Sequence, residues 1–239
     1  MEWTGEGLII GVRRHGETSV ILETMVAGRG RCLGLVRGGR SPRLAPFLQP
    51  GNTARLVWRA RLEDHLGVFA AEVTSPRAAR LMADRTRLYL MQMLAEHLRL
   101  LPERDPHDEL LARALGLIDR ETGEDSLGAE LARFELFLLE ELGFGLDLGS
   151  CAATGVTDDL THVSPRSGRA VSAEAAAPYA DRLLPLPPFL LGEGPVGPHG
   201  VADAFALTGH FLDRHVWTAR QIAPPSTRDW LVERLSSAG

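Results

Sequence analysis

The stretch Asn52-Thr-Ala-Arg-Leu-Val-Trp-Arg-Ala-Arg-Leu62 alternates apolar and basic side chains, and this alternation decides the fold of the first part of the chain. A period of two residues is typical of a β-strand that buries one of its faces. The sequence therefore predicts a strand over 52–62 with one core face and one basic face. The core face would hold Ala54, Leu56, Trp58, Ala60 and Leu62, and the basic face Arg55, Val57, Arg59 and Arg61.

Four further segments in the same part of the chain also have strand character. They are rich in β-branched side chains and are bounded by Gly, Pro or Asn. Their limits are 8–12, 19–26, 31–36 and 68–74. Five short antiparallel strands in so few residues favour a small closed barrel, and the first candidate is the OB-fold, a five-stranded barrel that binds oligonucleotides. We therefore predict an OB-fold domain over residues 1–76.

The hydrophobic period changes to a helical one after Ser75-Pro76. Two stretches of the later chain, 143–169 and 185–200, are dense in Gly, Pro, Asp, Ser and Thr and resemble loops. The sequence predicts an α-helical domain over 77–239 with a loop region over 143–200, which makes the whole chain an α+β multidomain protein. The predicted helices are 77–101, 107–121, 126–142, 201–217 and a last one from Ser226 onward.

Arginine is concentrated in one part of the chain. Residues 24–62 contain eight Arg and no Asp or Glu, and within them 28–43 mixes arginine with glycine. Residues 1–80 hold twelve Arg against seven acidic residues, whereas 81–239 hold fourteen against twenty-four. Guanidinium groups fork onto two phosphate oxygens at once, and glycines let a backbone approach a ligand closely. The pattern predicts a polyanion as partner; the alternative is a solvated surface that happens to be basic.

Seven arginines and one aromatic side chain are the candidate contacts to that polyanion. Three arginines of the Gly-rich stretch form the centre of the expected surface, and four others lie beside it. Trp58 falls on the apolar face of its strand, whereas Phe47 lies in a Pro-rich turn where a base could stack on it. The candidates are Arg37, Arg40 and Arg43, then Arg13, Arg14, Arg29 and Arg31, and finally Phe47.

The composition excludes several classes of enzyme. All 26 basic residues are Arg and none is Lys, so a Walker A lysine, a Schiff-base lysine and the strand lysine of a kinase are absent. Gly28, Gly30 and Gly34 miss the spacing of a dinucleotide fingerprint. Cys151 and His162 share a loop but lack an oxyanion motif or a third partner. We predict no catalytic residue, no cofactor and no small-molecule substrate.

Metal binding and membrane insertion are also disfavoured by the sequence. The two cysteines, Cys32 and Cys151, are too few for a thiolate zinc site or a disulfide framework. His210 and His215 lie five residues apart, outside the spacing of two ligands on one helical face. No apolar run is long enough for a signal peptide or a membrane-spanning helix. We expect a cytoplasmic protein that holds no metal and does not bind membranes.

Several motifs together resemble one bacterial protein family. They extend over nearly the whole chain, and their order and spacing carry the resemblance. The motifs are Gly16-Glu-Thr-Ser19, Gly28-Arg-Gly30, Gly38-Gly-Arg-Ser41, Leu48-Gln-Pro-Gly51, Arg133-Phe-Glu-Leu136, Leu142-Gly-Phe-Gly145, Cys151-Ala-Ala-Thr-Gly155, Val163-Ser-Pro-Arg-Ser-Gly168 and Phe211-Leu-Asp-Arg-His215. On these motifs the chain resembles the bacterial DNA repair protein family RecO, in its alphaproteobacterial form.

The resemblance implies a fold and a function. It implies an N-terminal OB-fold, a helical C-terminal domain, and a non-enzymatic recombination mediator of the RecF pathway, in the cytoplasm and associated with the nucleoid. Such a protein binds single- and double-stranded DNA, anneals complementary strands, and works with RecR to load RecA on DNA coated by single-stranded DNA-binding protein. Some relatives hold a four-cysteine zinc module where only Cys151 stands here, so we expect no zinc in this chain.

The resemblance also implies a contact with the C-terminal tail of single-stranded DNA-binding protein. That tail ends in acidic residues, an apolar residue and a free carboxylate, so its receptor needs an apolar pocket beside a basic group. Arg133, with Phe134 and Phe137 on adjoining helical faces, is the candidate for that receptor. Arg113, one helix earlier, is the alternate.

Alternatives stay open for the tail site and for the whole protein. At the tail site, the aromatics would belong to the core and Arg133 would pair with Glu130 or Glu140. For the whole protein, an RNA-binding OB-fold protein of translation or ribosome assembly would have the same basic face, but it would not need a helical domain that recognises a protein tail. An enzyme that uses the loop 143–169 is the third class.

Overall fold

The computed structural model describes residues 1–62, 65–120, 124–197 and 199–237. The chain divides into two compact units, Met1–Asp119 and Arg120–Gly239. The predicted domain limit at residue 76 comes from a change of hydrophobic period, whereas this division follows contacts in space. Among the described residues, no helix is long and apolar enough to cross a membrane.

The first unit begins with five strands, as the sequence predicted. Their order in the sheet is β1-β2-β3-β5-β4, and β1 also pairs with β4, so the sheet closes into a barrel. The pairs are antiparallel except β3 with β5, which are parallel where Leu35 meets Val68. The strands are β1 (Glu2–His15), β2 (Ser19–Val26), β3 (Gly30–Val36), β4 (Thr53–Arg59) and β5 (Val68–Ser75).

The predicted core face of β4 is confirmed for the length of the strand. Ala54, Leu56 and Trp58 are all buried, and they pack in one cluster with apolar side chains from every other strand. Burial of a large apolar side chain stabilises a fold by about 1.5–3 kcal/mol. Leu62 is 52% exposed because β4 ends at Arg59, three residues before it.

Three helices complete the first unit: α1 (Ala78–Met82), α2 (Arg85–Leu98) and α3 (Asp108–Asp119). The prediction of a single helix over 77–101 is wrong, because the helix is interrupted between α1 and α2. Asp84 has an extended backbone there, and its carboxylate accepts a hydrogen bond from the Arg87 N–H at 2.9 Å. This is the geometry of an N-cap, which starts a new helix. The pattern of apolar residues is helical on both sides of the cap and therefore conceals it.

The segment between α2 and α3 packs on the turn between β2 and β3. Gly30 has φ +69°, and a Cβ added there would lie 1.8 Å from the carbonyl oxygen of Asp105. The Gly28 N–H donates to the Asp108 carboxylate at 2.6 Å, and the Arg104 N–H donates to the Arg31 carbonyl at 2.9 Å. The sequence interpretation assigned these glycines to the approach of a ligand. In the structure, the protein's own chain makes the close approach.

The second unit contains helices around an apolar core. Leu131, Phe134 and Leu138 form the buried stripe of α4. After α4, Gly143 has φ +84°, and the N–H groups of Gly143 and Phe144 donate to carbonyls near the end of the helix, a Schellman-type C-cap. The helices are α4 (Glu124–Glu141), α5 (Ala173–Ala176), α6 (Gly200–Leu212), α7 (Thr218–Arg220) and α8 (Arg228–Ser236), with a π-helical turn over Asp213–Trp217.

The predicted loop region 143–200 contains regular structure. Three strands form a sheet in the order β7-β6-β8, and two 3₁₀ helices, Ala177–Arg182 and Pro188–Leu191, follow in the same region. Each strand has four residues or fewer, which is too short for an alternating pattern to stand out from a loop composition. The strands are β6 (Leu160–Val163), β7 (Ala170–Ser172) and β8 (Leu184–Pro185).

A buried ion pair joins three helices of the second unit. The Arg228 guanidinium donates to both carboxylate oxygens of Glu135, at 2.8 and 2.9 Å, and to the Phe205 carbonyl at 3.0 Å. The Thr208 hydroxyl donates to the same carboxylate at 2.5 Å. Glu135 is fully buried, and the fork of hydrogen bonds satisfies a charge that would otherwise be costly to bury.

Candidate nucleic-acid interface

The arginine loop, residues 37–43, follows β3 and carries three exposed arginines, Arg37, Arg40 and Arg43. Gly38 has φ +66° with open space around it, which allows the tight turn after Arg37. The Arg40 guanidinium donates to the carbonyls of Gly16 and Glu17, at 3.1 and 2.5 Å. These bonds fix the loop against the turn between β1 and β2, so two loops form one surface.

A groove lined by basic and apolar side chains runs beside the arginine loop. Arg14 of β1 and Arg40 of the loop line it, and its volume is about 410 Å³. Guanidinium groups around apolar surface can hold phosphates and leave room for bases or sugars. We call this feature the arginine groove; its other lining residues are Val12, Val20, Gly39, Ala45, Leu48 and Gln49.

Phe47 presents its ring to solvent at the end of the same connection between β3 and β4. The side chain is 52% exposed. Its backbone is fixed, because the Phe47 N–H donates to Leu44 at 3.0 Å and the Asn52 amide donates to the Phe47 carbonyl at 2.7 Å. Trp58 is buried in the core, as predicted from its strand face. An exposed ring on a fixed backbone can stack with a base.

Arg31 and Arg13 lie outside the arginine groove. The Arg31 side chain is only 17% exposed and pairs with Glu23 at 3.0 Å and Glu103 at 3.5 Å. Two carboxylates already balance its charge, so it contributes little positive potential to the surface. Arg13 lines a second groove with Arg31, Arg99 and those two acidic residues, where the net positive charge is smaller than in the arginine groove.

Arg29 lies at the opposite end of the β2-β3 hairpin from the arginine loop. Its guanidinium stacks over the ring of Trp3 at 4.7 Å from the ring centroid. Of the eight predicted contacts, the structure therefore groups the three arginines of the loop with Arg14 and Phe47. It separates Arg29 from them by the length of the hairpin.

The outer face of β4 is less basic than its own sequence suggests. Arg55 is aligned with Glu6 of β1 and Glu72 of β5, and Arg59 pairs with Glu2 at 2.9 Å. The hydrogen bond from Arg59 lowers the pKa of the Glu2 carboxyl. The acidic partners come from neighbouring strands, so a search along 24–62 does not detect them. This face is a mixed surface, unlike the arginine loop.

The candidate tail receptor in the second unit is largely occupied by the protein itself. Arg133 pairs with Glu130 at 2.6 Å and donates to the Phe189 carbonyl at 3.0 Å. Phe134 is 1% exposed and belongs to the core, where a peptide cannot reach it. Phe137 is half-buried. The pairing with Glu130 is the one that the alternative interpretation named.

Arg113, the alternate residue for the tail, lies on α3 in the first unit. Its guanidinium pairs with Glu109 of the same helix at 2.6 Å, one helical turn away. The Arg113 side chain is 41% exposed. An exposed pair of this kind contributes little to stability.

The region around Cys151 does not fit a zinc ion. The Cys151 Sγ is buried and accepts hydrogen bonds from the N–H and the hydroxyl of Ser172, both at 3.3 Å. The bonds from Ser172, with a further one from Thr154, lower the pKa of the thiol to about 6, against the opposing effect of burial. Within the described part of the chain, no three His, Cys, Asp or Glu side chains are grouped as metal ligands. Among the described residues, Cys151 therefore lacks the further thiolate or imidazole ligands that a structural zinc site needs.

Two family models cover most of the chain. The model described as Recombination protein O N terminal matches residues 1–77, which end shortly after β5. The model described as Recombination protein O C terminal matches residues 82–220. Both models describe parts of the same class of protein, and their two ranges correspond to the barrel and to the helices that follow it. The chain is therefore a DNA recombination and repair protein.

Named relatives are similar over nearly their whole length. A DNA repair protein RecO from Methylobacterium nodulans is 54% identical over 238 residues, which cover 97% of each chain. The RecO protein of Methylocella silvestris is 56% identical over 98% of this chain and 96% of its own. That of Mesorhizobium japonicum is 55% identical over 95% and 91%. The chain belongs to the bacterial RecO family, as its motifs predicted.

Proposed function

We propose that this protein binds single- and double-stranded DNA through the arginine loop and the arginine groove, without sequence preference. The observation that carries the proposal is the exposure of Arg37 and Arg43 beside a groove walled by Arg14 and Arg40. No carboxylate among the described residues pairs with Arg37, Arg43 or Arg14. Free guanidinium groups at one end of a barrel favour phosphates over a neutral ligand.

The barrel is proposed to be an OB-fold, and residues 1–76 its minimal domain. Its five strands and closed sheet support this assignment, and loops at one end of an OB barrel are a common site for single strands. Residues 77–239 are proposed as the helical domain. Membership of the RecO family supports a non-enzymatic role without a cofactor.

In that role the protein anneals complementary strands and helps RecR load RecA onto DNA coated by single-stranded DNA-binding protein, as part of the RecF pathway. We place this activity in the cytoplasm at the nucleoid. RNA binding in translation or ribosome assembly is the alternative, and it is not favoured by the family to which the chain belongs. Equal affinity for RNA and DNA strands of the same length and composition would revive it.

The tail of single-stranded DNA-binding protein is proposed to bind near Arg133 and Phe137, or at Arg113. Arg133 can contribute only if the tail carboxylate replaces Glu130 or shares the guanidinium with it. A tail peptide with equal affinity for the wild-type protein and the Arg133→Ala variant would move the receptor to Arg113. Adding single-stranded DNA-binding protein to the DNA titration shows whether this contact aids the proposed role.

The decisive test changes Arg37, Arg40 and Arg43 to Glu and follows single-stranded DNA binding by fluorescence anisotropy over a range of salt concentrations. We expect a large loss of affinity and a shallower salt dependence, because each lost phosphate contact removes about 0.7 from the log–log slope on single strands. Arg59→Glu is a control with a single charge reversal, since Arg59 is also exposed on the barrel but is paired with Glu2. A triple variant with an unchanged slope would exclude the arginine loop.

A further inference from the structure

A small cavity lies at the end of the β2-β3 hairpin that is remote from the arginine loop. It has a volume of about 110 Å³. Sites for drug-sized ligands measure roughly 300–1,000 Å³, so this cavity can admit one flat group and little more. Its lining includes Trp3, Arg29, Cys32, Leu33, Trp58 and Arg104.

One wall of the cavity is a stack of flat groups. Trp3 lies on Trp58, with 5.9 Å between ring centroids and 15° between planes, and Arg29 covers the ring of Trp3. Phe69 meets Trp3 edge-on at 5.8 Å, and the Trp58 indole N–H donates to Leu66 at 3.2 Å. The contact with Phe69 and the hydrogen bond of Trp58 therefore hold the two indole rings in place. The outermost member of the stack, the planar guanidinium of Arg29, is a surface on which a base can stack.

Arg104 brings a second guanidinium to the same cavity from the segment between α2 and α3. Its backbone has φ +62° and donates to the Arg31 carbonyl, which fixes the residue beside the hairpin turn. One nitrogen of its side chain donates to the His65 carbonyl at 3.0 Å, and the described residues accept no further hydrogen bond from this side chain. Within the part of the chain that the structure describes, no carboxylate pairs with Arg29 or Arg104.

We propose that this cavity binds one unpaired nucleotide, with the base stacked on the Arg29 guanidinium and the phosphate held by Arg104. As a contact for DNA it rests on the proposed function and extends it. The seven residues of β3 span roughly 23 Å, so a strand that also lies on the arginine loop would cross the hairpin. OB-folds cover roughly 4–16 nucleotides, which matches that separation. An acidic peptide could satisfy the guanidinium groups but would not use the flat stack.

The test observes the indole N–H signals of the intact protein by two-dimensional NMR. The chain has four Trp, and a Trp3→Phe variant identifies the signal of Trp3. We expect thymidine monophosphate to shift that signal saturably, and thymidine without phosphate to do so much more weakly. The Arg104→Asn and Arg29→Ala variants should each weaken binding about tenfold, as expected for a charge-assisted hydrogen bond or contact. Asn is chosen at position 104 because it tolerates the positive φ.

Arg43→Ala in the arginine loop is the control that separates this site from the proposed DNA surface. It should weaken binding of a long single strand and leave the shift by thymidine monophosphate unchanged. An absent shift at Trp3, an equal shift in the Arg104→Asn and Arg29→Ala variants, or a shift caused only by a peptide of three Asp and a terminal Phe would overturn the nucleotide site. None of these results depends on whether the arginine loop binds DNA.

Discussion

Single residues show where charge is used for stability and where it is left for a partner. Arg228 and Arg31 are fully engaged by carboxylates inside the protein, whereas Arg37 and Arg43 are exposed. A count of arginines along the sequence does not distinguish these four residues. The distinction arises because acidic residues that are distant in the chain reach the first pair and not the second.

The buried pair of Glu135 and Arg228 leads to a prediction at this scale. Glu135→Ala should lower the free energy of unfolding by about 3–5 kcal/mol, because it leaves the Arg228 guanidinium buried without its counter-charge. The double variant Glu135→Leu with Arg228→Met should be far closer to wild type, because it buries no charge. Urea denaturation followed by circular dichroism measures both.

Equal stability of the single and double variants would show that lost packing, and not the unpaired charge, dominates. The partner of Glu135 cannot be identified from the sequence alone. Glu135 lies within a helical stripe next to Phe134, and Arg228 is 93 residues away in the chain. A buried Glu on an otherwise apolar stripe is the signal that could have prompted a search for a partner.

At the scale of elements, the turn between β2 and β3 has a structural role that its sequence does not indicate. Gly-Arg-Gly with flanking arginine suggests a ligand loop, yet the turn receives the segment between α2 and α3. The arginine loop, with a similar composition, has open space around Gly38. Two loops of one composition thus differ because only one of them is covered by a later part of the chain.

Gly30→Ala tests this packing and has a matched control in Gly28→Ala. Both glycines have φ +69°, which costs an alanine about 1–2 kcal/mol. A Cβ at position 28 meets nothing within 4 Å, whereas one at position 30 would overlap the Asp105 carbonyl. We expect Gly30→Ala to destabilise the protein by about 1–3 kcal/mol more than Gly28→Ala, measured by thermal denaturation.

Similar melting temperatures for the two variants would contradict the close approach of Asp105. The comparison is informative because the backbone strain is common to both positions and cancels. What remains is the contact with the segment between α2 and α3.

At the scale of the whole molecule, the first unit is larger than the barrel. Arg99 of the α2 C-terminus donates to Glu23 at 2.8 Å and to the Ile10 carbonyl at 2.7 Å. Arg77 pairs with Asp119 at the end of α3. The N–H groups of Arg77 and Ala78 donate to the Asn52 side chain. The first helices therefore complete the barrel unit, although their sequence pattern belongs with the helical part.

Truncation tests whether the barrel over residues 1–76, proposed above as the minimal OB-fold domain, is as stable alone as the whole first unit, Met1–Asp119. A chain of residues 1–119 should unfold in one cooperative transition and bind single-stranded DNA, since it retains the arginine loop and every contact between the barrel and α1 to α3. A chain of residues 1–76 should be less stable, because it exposes Gly30 and the barrel surface that those helices cover. If the shorter chain has the same melting temperature, the boundary belongs at residue 76.

The sequence by itself determined the elements of this protein that depend on local pattern. An alternating face predicted β4, β-branched segments bounded by Gly, Pro or Asn predicted the other four strands, a helical period predicted α4, and motif order predicted the family. These features can be predicted because they depend on residues that are close together in the chain.

Only the tertiary structure decided which arginines are free, which glycines are covered, and which aromatics can be reached. Arg133 and Phe189, or Gly30 and Asp105, are separated by tens of residues and meet only when the chain has folded. The net charge around a residue, its burial and its accessibility depend on neighbours in space. They cannot be assigned from the order of residues along the chain.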